Sequence, residues 1–188
     1  NICSIHEDRK LEKRISITPE ITKKYIDLGF KVILSKNYGS HLGINDNEFI
    51  DSGANIINDE NEIINKSDII AQLGLPSDEK LSLIKENKTI VGVLDPFKNK
   101  DKIQSLSNKK INTFSLELLP RITRAQSMDV LSSQSNLAGY RAVVDCVAEF
   151  EKAVPMMMTA AGTVPAAKVL VIGAGVAGLQ AIATAKRL

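Results

Sequence analysis

Val169-Leu-Val-Ile-Gly173-Ala-Gly175-Val-Ala-Gly178-Leu-Gln-Ala181 is the stretch on which the reading of this chain turns. An apolar four-residue run leads straight into Gly-x-Gly-x-x-Gly, and residues 179–188 carry the Ala/Leu/Ile pattern of a helix. Strand, glycine turn and helix in that order are the context that a dinucleotide fingerprint requires. Gly173 would let the chain turn tightly out of the strand. Gly175, without a Cβ, would let a pyrophosphate approach the backbone, and Gly178 would let the helix pack near the strand. The N–H groups of Val176, Ala177 and Gly178 at the helix start, aided by the helix dipole, favour an anion there. Glycine and alanine are common, so a tight turn that binds nothing is the competing reading. The arbiter is an acidic residue roughly 20 positions further on, at the end of the next strand. The sequence stops at Leu188, before that position. The fingerprint is therefore expected to open a nucleotide-binding lobe that these residues do not finish, and to bind its dinucleotide weakly or not at all in isolation.

Upstream, residues 2–5, 31–34, 54–57, 68–73, 89–94 and 110–115 read as short strands. Helical segments fall between them, at 18–28, 46–52, 60–65, 76–84 and 101–106. Thr18-Pro19-Glu20 has the form of an N-cap with proline at the first helical position, and Gly29 stops that helix. Alternation of this kind with short turns predicts a parallel α/β sheet. Near Leu118 the texture changes to a stretch rich in Ser, Arg and Gln, and residues 135–151 read as one long helix. The expected fold is α/β, with two Rossmann-like lobes of parallel sheet joined by a long helix. Residues 1–120 form the first lobe, 121–134 a polar loop, 135–152 the linking helix, and 153–188 the start of a truncated second lobe. A ligand would lie at the carboxyl ends of the strands, in the cleft between lobes.

Bulk properties narrow the function classes. The 188 residues are 44% hydrophobic and 24% charged, with a net charge of +2, as in ordinary globular proteins. That charge gives no electrostatic case for nucleic acid or an anionic membrane. Five Phe, three Tyr and no Trp offer no evident stacking platform for bases. No run approaches the ~18 apolar residues of a membrane span. No signal peptide is evident, and a chain beginning at Asn1 is expected to be trimmed. Cys3 and Cys146 lack metal spacing and read as free thiols in a reducing compartment. His6 and His41 share no ligand spacing, so no metal site is expected.

A second constellation follows the last strand of the first lobe: Pro120-Arg121-Ile-Thr-Arg124-Ala-Gln126-Ser-Met-Asp129-Val-Leu-Ser132-Ser-Gln134. Arginine supplies a planar fork for carboxamide, carboxylate or phosphate, and Gln and Asp can bond a carboxamide or ribose hydroxyls. A solvated connection is the plain alternative. Together with the residues downstream of it, however, this segment carries a resemblance. The runs PRITRAQSMDVLSSQSNLAGYRAV and PMMMTAAGTVPAAKVLVIGAGVAGLQAIATAKRL resemble the NAD(H)-binding component, the alpha subunit or domain I, of proton-translocating nicotinamide nucleotide transhydrogenase. EDRKLEKRISITPE and LGFKVIL fit the same family, so the resemblance covers essentially the whole chain and is closest from about residue 117 onward. It implies that Arg121, Gln126 and Asp129, with Ser132 beside them, form a loop that closes over the nicotinamide. Arg121 and Ser132 would hold the carboxamide side, Gln126 would orient the ring and ribose toward the partner nucleotide, and Asp129 would support the network. None of the four would be an acid or a base. Hydride would pass directly from NADH to the oxidised form, NADP⁺, of the NADP(H) held on a partner domain, so the protein's contribution would be position and electrostatics. The resemblance also implies a homodimer, a separate membrane domain carrying the protons, and a peripheral location on the cytoplasmic or mitochondrial matrix side, without membrane insertion.

Alanine dehydrogenase is the nearest rival, with saccharopine dehydrogenase behind it, and Arg14 matches a substrate-binding arginine of the former. That enzyme also needs a lysine and a histidine where this sequence carries Gln72 and Asp95, which would leave a keto acid without its cationic clamp and proton donor. Arg14 is then expected to serve a structural ion pair. A non-catalytic NAD-sensing module would keep the glycines but need not keep the Arg-Gln-Asp loop.

Overall fold

In the computed structural model, which describes residues 1–188, the chain divides into two compact units, Asn1–Pro120 and Arg121–Leu188. The first unit alternates β1 (Ile2–Ser4), α1 (Pro19–Asp27), β2 (Val32–Ser35), α2 (Asp46–Asp51), β3 (Asn55–Ile57), α3 (Glu60–Lys66), β4 (Ile69–Ala71), α4 (Asp78–Ser82), β5 (Thr89–Gly92), α5 (Lys100–Asn108) and β6 (Asn112–Ser115). The six strands form one parallel sheet in the order β3-β2-β1-β4-β5-β6. Each helix thus serves as the crossover that a parallel pairing demands.

The strand sequences explain why both faces of this sheet are covered. Successive side chains point to opposite faces. Ile2, Val32 and Leu34 join Ile17, Tyr38, Phe49 and Ala54 in one core, whereas Cys3, Ile33, Ile70 and Ile90 join Ile63, Ile64 and Leu106 in the other. Strands buried on both faces read as continuous apolar runs, as the stretches Ile2-Cys3 and Val32-Ile33-Leu34 do. Local signals agree with the cores. Thr18 caps α1 through its side chain, which accepts from Ile21 N–H, and Pro19 begins the helix. Asn45 and Glu48 make a reciprocal capping box on α2.

The second unit comprises a 3-10 turn (Thr123–Met128), the 20-residue helix α6 (Val130–Glu149), the antiparallel hairpin β7 (Met157–Thr159) and β8 (Gly162–Val164), and α7 (Val176–Ala185). Two features depart from the expectation from sequence. The long helix begins at Val130 and not at Ser135, because Asp129 caps it and carries the Ser-rich stretch into helical conformation. Residues 155–165, expected as proline and glycine punctuation, contain the hairpin, whose strands are exposed along their length.

The fingerprint strand also differs from expectation. Residues 169–172 pair with no other segment of the chain. Leu170 is 84% and Ile172 93% exposed. A parallel strand takes its hydrogen bonds and its burial from neighbours on either side, and no other strand of this chain provides them. The glycine turn and helix α7 form all the same, because they depend on local backbone geometry and on packing against α6.

Candidate functional site

The glycine turn divides its labour among three residues. Gly173 has φ of +101°, a region that side-chain-bearing residues rarely enter. Gly175, at φ −75° and ψ −171°, is the N-cap of α7. A Cβ built there meets nothing within 4 Å, so its backbone faces open space. A Cβ on Gly178 would stand 1.9 Å from the carbonyl oxygen of Gly173. The first turn of α7 is thereby folded hard onto the turn that precedes it. Open backbone at Gly175 and the unbonded N–H groups of a helix start are the features a phosphate group needs.

The polar constellation lies in the same unit. Ala125 is buried and anchors the 3-10 turn, while Arg121 and Gln126 are exposed. Asp129 faces the start of α6: its carboxylate accepts from Ser132 N–H at 2.9 Å and from the Ser132 hydroxyl at 2.7 Å. Those two bonds, with a smaller contribution from the charge of Arg121, hold the Asp129 carboxyl below the usual aspartate range. A depressed folded value makes the cap's contribution complete above the ordinary aspartate pKa, near 3.9, and lost as pH falls through the lower folded value. Asp129→Asn, which can still cap, should flatten that acid limb of the helix signal in a circular-dichroism titration. Identical acid limbs in both proteins would contradict the assignment.

A hollow of about 500 Å³ brings these two motifs together. Arg121, Ser132 and Ser135 line one side, and Gly173, Gly175, Val176, Ala177 and Gly178 line the other, with Leu131 and Ile172 completing it. Gln126 and Asp129 do not line the hollow: Gln126 stands exposed on the 3-10 turn, and Asp129 is turned to Ser132. A second hollow of about 400 Å³, lined by Val143, Cys146, Val147, Val171, Ala181 and others, is apolar except at Lys168. It offers no set of donors for a pyrophosphate. Ser135 belongs to neither motif in the sequence. Its position three residues after Ser132, on the same helical face, is the signal that marks it.

In the first unit, the positions that distinguish the rival chemistry are all engaged in structure. Arg14 forks onto Glu12, with Nε donating to Oε1 at 2.8 Å. Gln72 is buried, and its Oε1 accepts from Ser4 Oγ at 2.8 Å and Ile5 N–H at 2.9 Å. Asp95, at φ +46°, pairs with Lys98, and its N–H donates to Glu117.

The model for the alanine dehydrogenase/PNT N-terminal domain matches residues 4–138, and the model for the corresponding C-terminal domain matches residues 142–188. The chain belongs to the alanine dehydrogenase/PNT family. Within this family it is 48% identical over 187 residues to the first of the NAD(P) transhydrogenase subunit alpha parts of Rhodospirillum rubrum, covering 97% of this chain and 49% of that protein. The crystal structure of transhydrogenase from Sinorhizobium meliloti superposes with a TM-score of 0.93 at 45% identity, covering 100% of this chain and 56% of that one. An L-alanine dehydrogenase superposes with a TM-score of 0.83 at 16% identity, over 100% of this chain and 52% of the other, a likeness of fold alone. The chain spans about half the length of the curated relatives it matches. No helix is long and apolar enough to cross a membrane.

Proposed function

We propose that this chain is the NAD(H)-binding part of a transhydrogenase, passing hydride directly from NADH to NADP⁺ held by a partner domain. The observation that carries the reading is the single hollow shared by the glycine turn and the Arg121–Ser132 segment. A dinucleotide has an anionic middle and a polar carboxamide end, and the hollow's two walls offer complements to both. The backbone at Gly173, Gly175, Val176, Ala177 and Gly178 takes the pyrophosphate. Arg121 and Ser132 hold the carboxamide, with Asp129 fixing the Ser132 hydroxyl and N–H. Gln126, exposed on its turn, orients the nicotinamide and ribose toward the acceptor. No residue in this set exchanges a proton with substrate. The chain's role is to bind, orient and exclude water while the two nicotinamides meet.

By the same reading, residues 1–120 form a supporting Rossmann-like lobe and residues 153–188 open the NAD-binding lobe. The working assembly is a homodimer, bound peripherally to a membrane domain that moves protons, on the cytoplasmic or matrix side. The engaged states of Arg14, Gln72 and Asp95 argue against keto-acid chemistry, since none is poised as a cationic clamp or proton donor. The test is to mix the full-length protein with NADH, pyruvate and ammonia. NADH should not be consumed, and consumption would sink the transhydrogenase reading in favour of an alanine dehydrogenase.

A further inference from the structure

One wall of the hollow depends on a residue that neither motif contains. Gly139 is buried in the middle of α6. Ser132, Ser135, Gly139 and Val143 recur at helical spacing and so share one face. A Cβ on Gly139 would lie 2.1 Å from the carbonyl oxygen of Ala177, 2.8 Å from its carbonyl carbon and 3.0 Å from its Cα. All three are backbone atoms in the first turn of α7, so no side-chain rotation relieves the overlap. The two helices therefore meet backbone to backbone at the middle of the fingerprint. One and two turns nearer the start of α6, the same stripe presents Ser135 and Ser132 to the hollow.

We propose that Gly139 is a positioning residue that sets the gap between the glycine turn and the polar first turn of α6, matching the hollow to a dinucleotide gripped at both pyrophosphate and nicotinamide ends. The inference rests on the NAD(H) reading above. A methyl group at Gly139 must move Ala177 and α6 apart by roughly 1 Å or more to restore ordinary van der Waals separation. Ser132 lies on the same continuous helix as Gly139, so it moves with α6. A shift of roughly 1 Å is enough to cost a large factor in a positioned complex.

The experiment is Gly139→Ala in the full-length protein, titrated with NADH and with ADP-ribose, which lacks the nicotinamide. NADH should weaken by at least about tenfold while ADP-ribose stays within about threefold. Unchanged NADH affinity, or equal weakening of both ligands, overturns the proposal, because equal weakening would mean that Gly139 supports the phosphate turn alone. If Gly139→Ala does not fold, Ser135→Leu alters the same gap one turn nearer the start of α6, where Ser135 lines the hollow. It should weaken NADH by about tenfold or more with ADP-ribose within about threefold, and unchanged NADH binding overturns the proposal. A wild-type protein that binds neither nucleotide overturns the NAD(H) reading and this inference with it, whereas normal wild-type binding with an indifferent Gly139→Ala overturns this inference alone.

Discussion

Gly178→Ala should abolish measurable NADH binding, with an affinity loss of about 100-fold or more, equivalent to about 2.7 kcal/mol. The cause is geometric. The new methyl would sit 1.9 Å from the Gly173 carbonyl oxygen and 2.8 Å from its carbonyl carbon. Both are backbone atoms, so no side-chain rotation relieves the overlap. In an unpacked helix the same change would be stabilising by about 1 kcal/mol, because alanine is the better helix former. The direction of the effect therefore separates a packed fingerprint turn from an idle one. Gly175→Ala makes the complementary case. Nothing lies within 4 Å of its Cβ, so folding should be normal and any loss of NADH affinity must come from the methyl meeting the ligand. Fluorescence titration read beside thermal unfolding distinguishes the two variants. A Gly178→Ala protein that is more stable and binds NADH normally would contradict this account of the turn.

Substitution of Gln126 should act in the opposite way, on the reaction and not on binding. Gln126 is exposed and does not line the hollow, so Gln126→Ala should leave the NADH dissociation constant within about threefold. Hydride transfer to the acceptor should fall by about 100-fold, the cost of a misplaced reacting centre. Stopped-flow transfer rates set beside equilibrium titration check both halves. An equal fall in rate and affinity, or a fall in neither, would show that Gln126 does not orient the nicotinamide.

Much of the first unit is legible in the sequence because its local and global signals agree. Thr18-Pro19 starts α1 where a cap and a proline belong, and Ile2-Cys3 and Val32-Ile33-Leu34 are apolar on both faces because the sheet is covered on both. The second unit is harder to read for physical reasons. Ser132 and Ser133 are poor helix formers, so the first turn of α6 has the look of a loop, and the Asp129 cap carries it into the helix. The hairpin 157–164 has no alternating buried face to betray it, since both of its strands are exposed. At the candidate site, the glycine motif stands out by residue type and context, whereas the Arg121-Gln126-Asp129 loop is marked by its resemblance to the family's loop and not by residue type. Gly139 does not, because a lone glycine inside a helical pattern announces its role only through the backbone it touches.

The central claim is direct hydride passage from NADH on this chain to NADP⁺ on a partner domain. The most direct measurement supplies the full-length protein, together with its NADP(H)-binding partner, with NADH deuterated at the transferring C4 position and with NADP⁺, and reads the NADPH product by mass spectrometry. The deuterium should arrive whole in NADPH. Deuterium lost to solvent, or no NADPH formed at all, would contradict it.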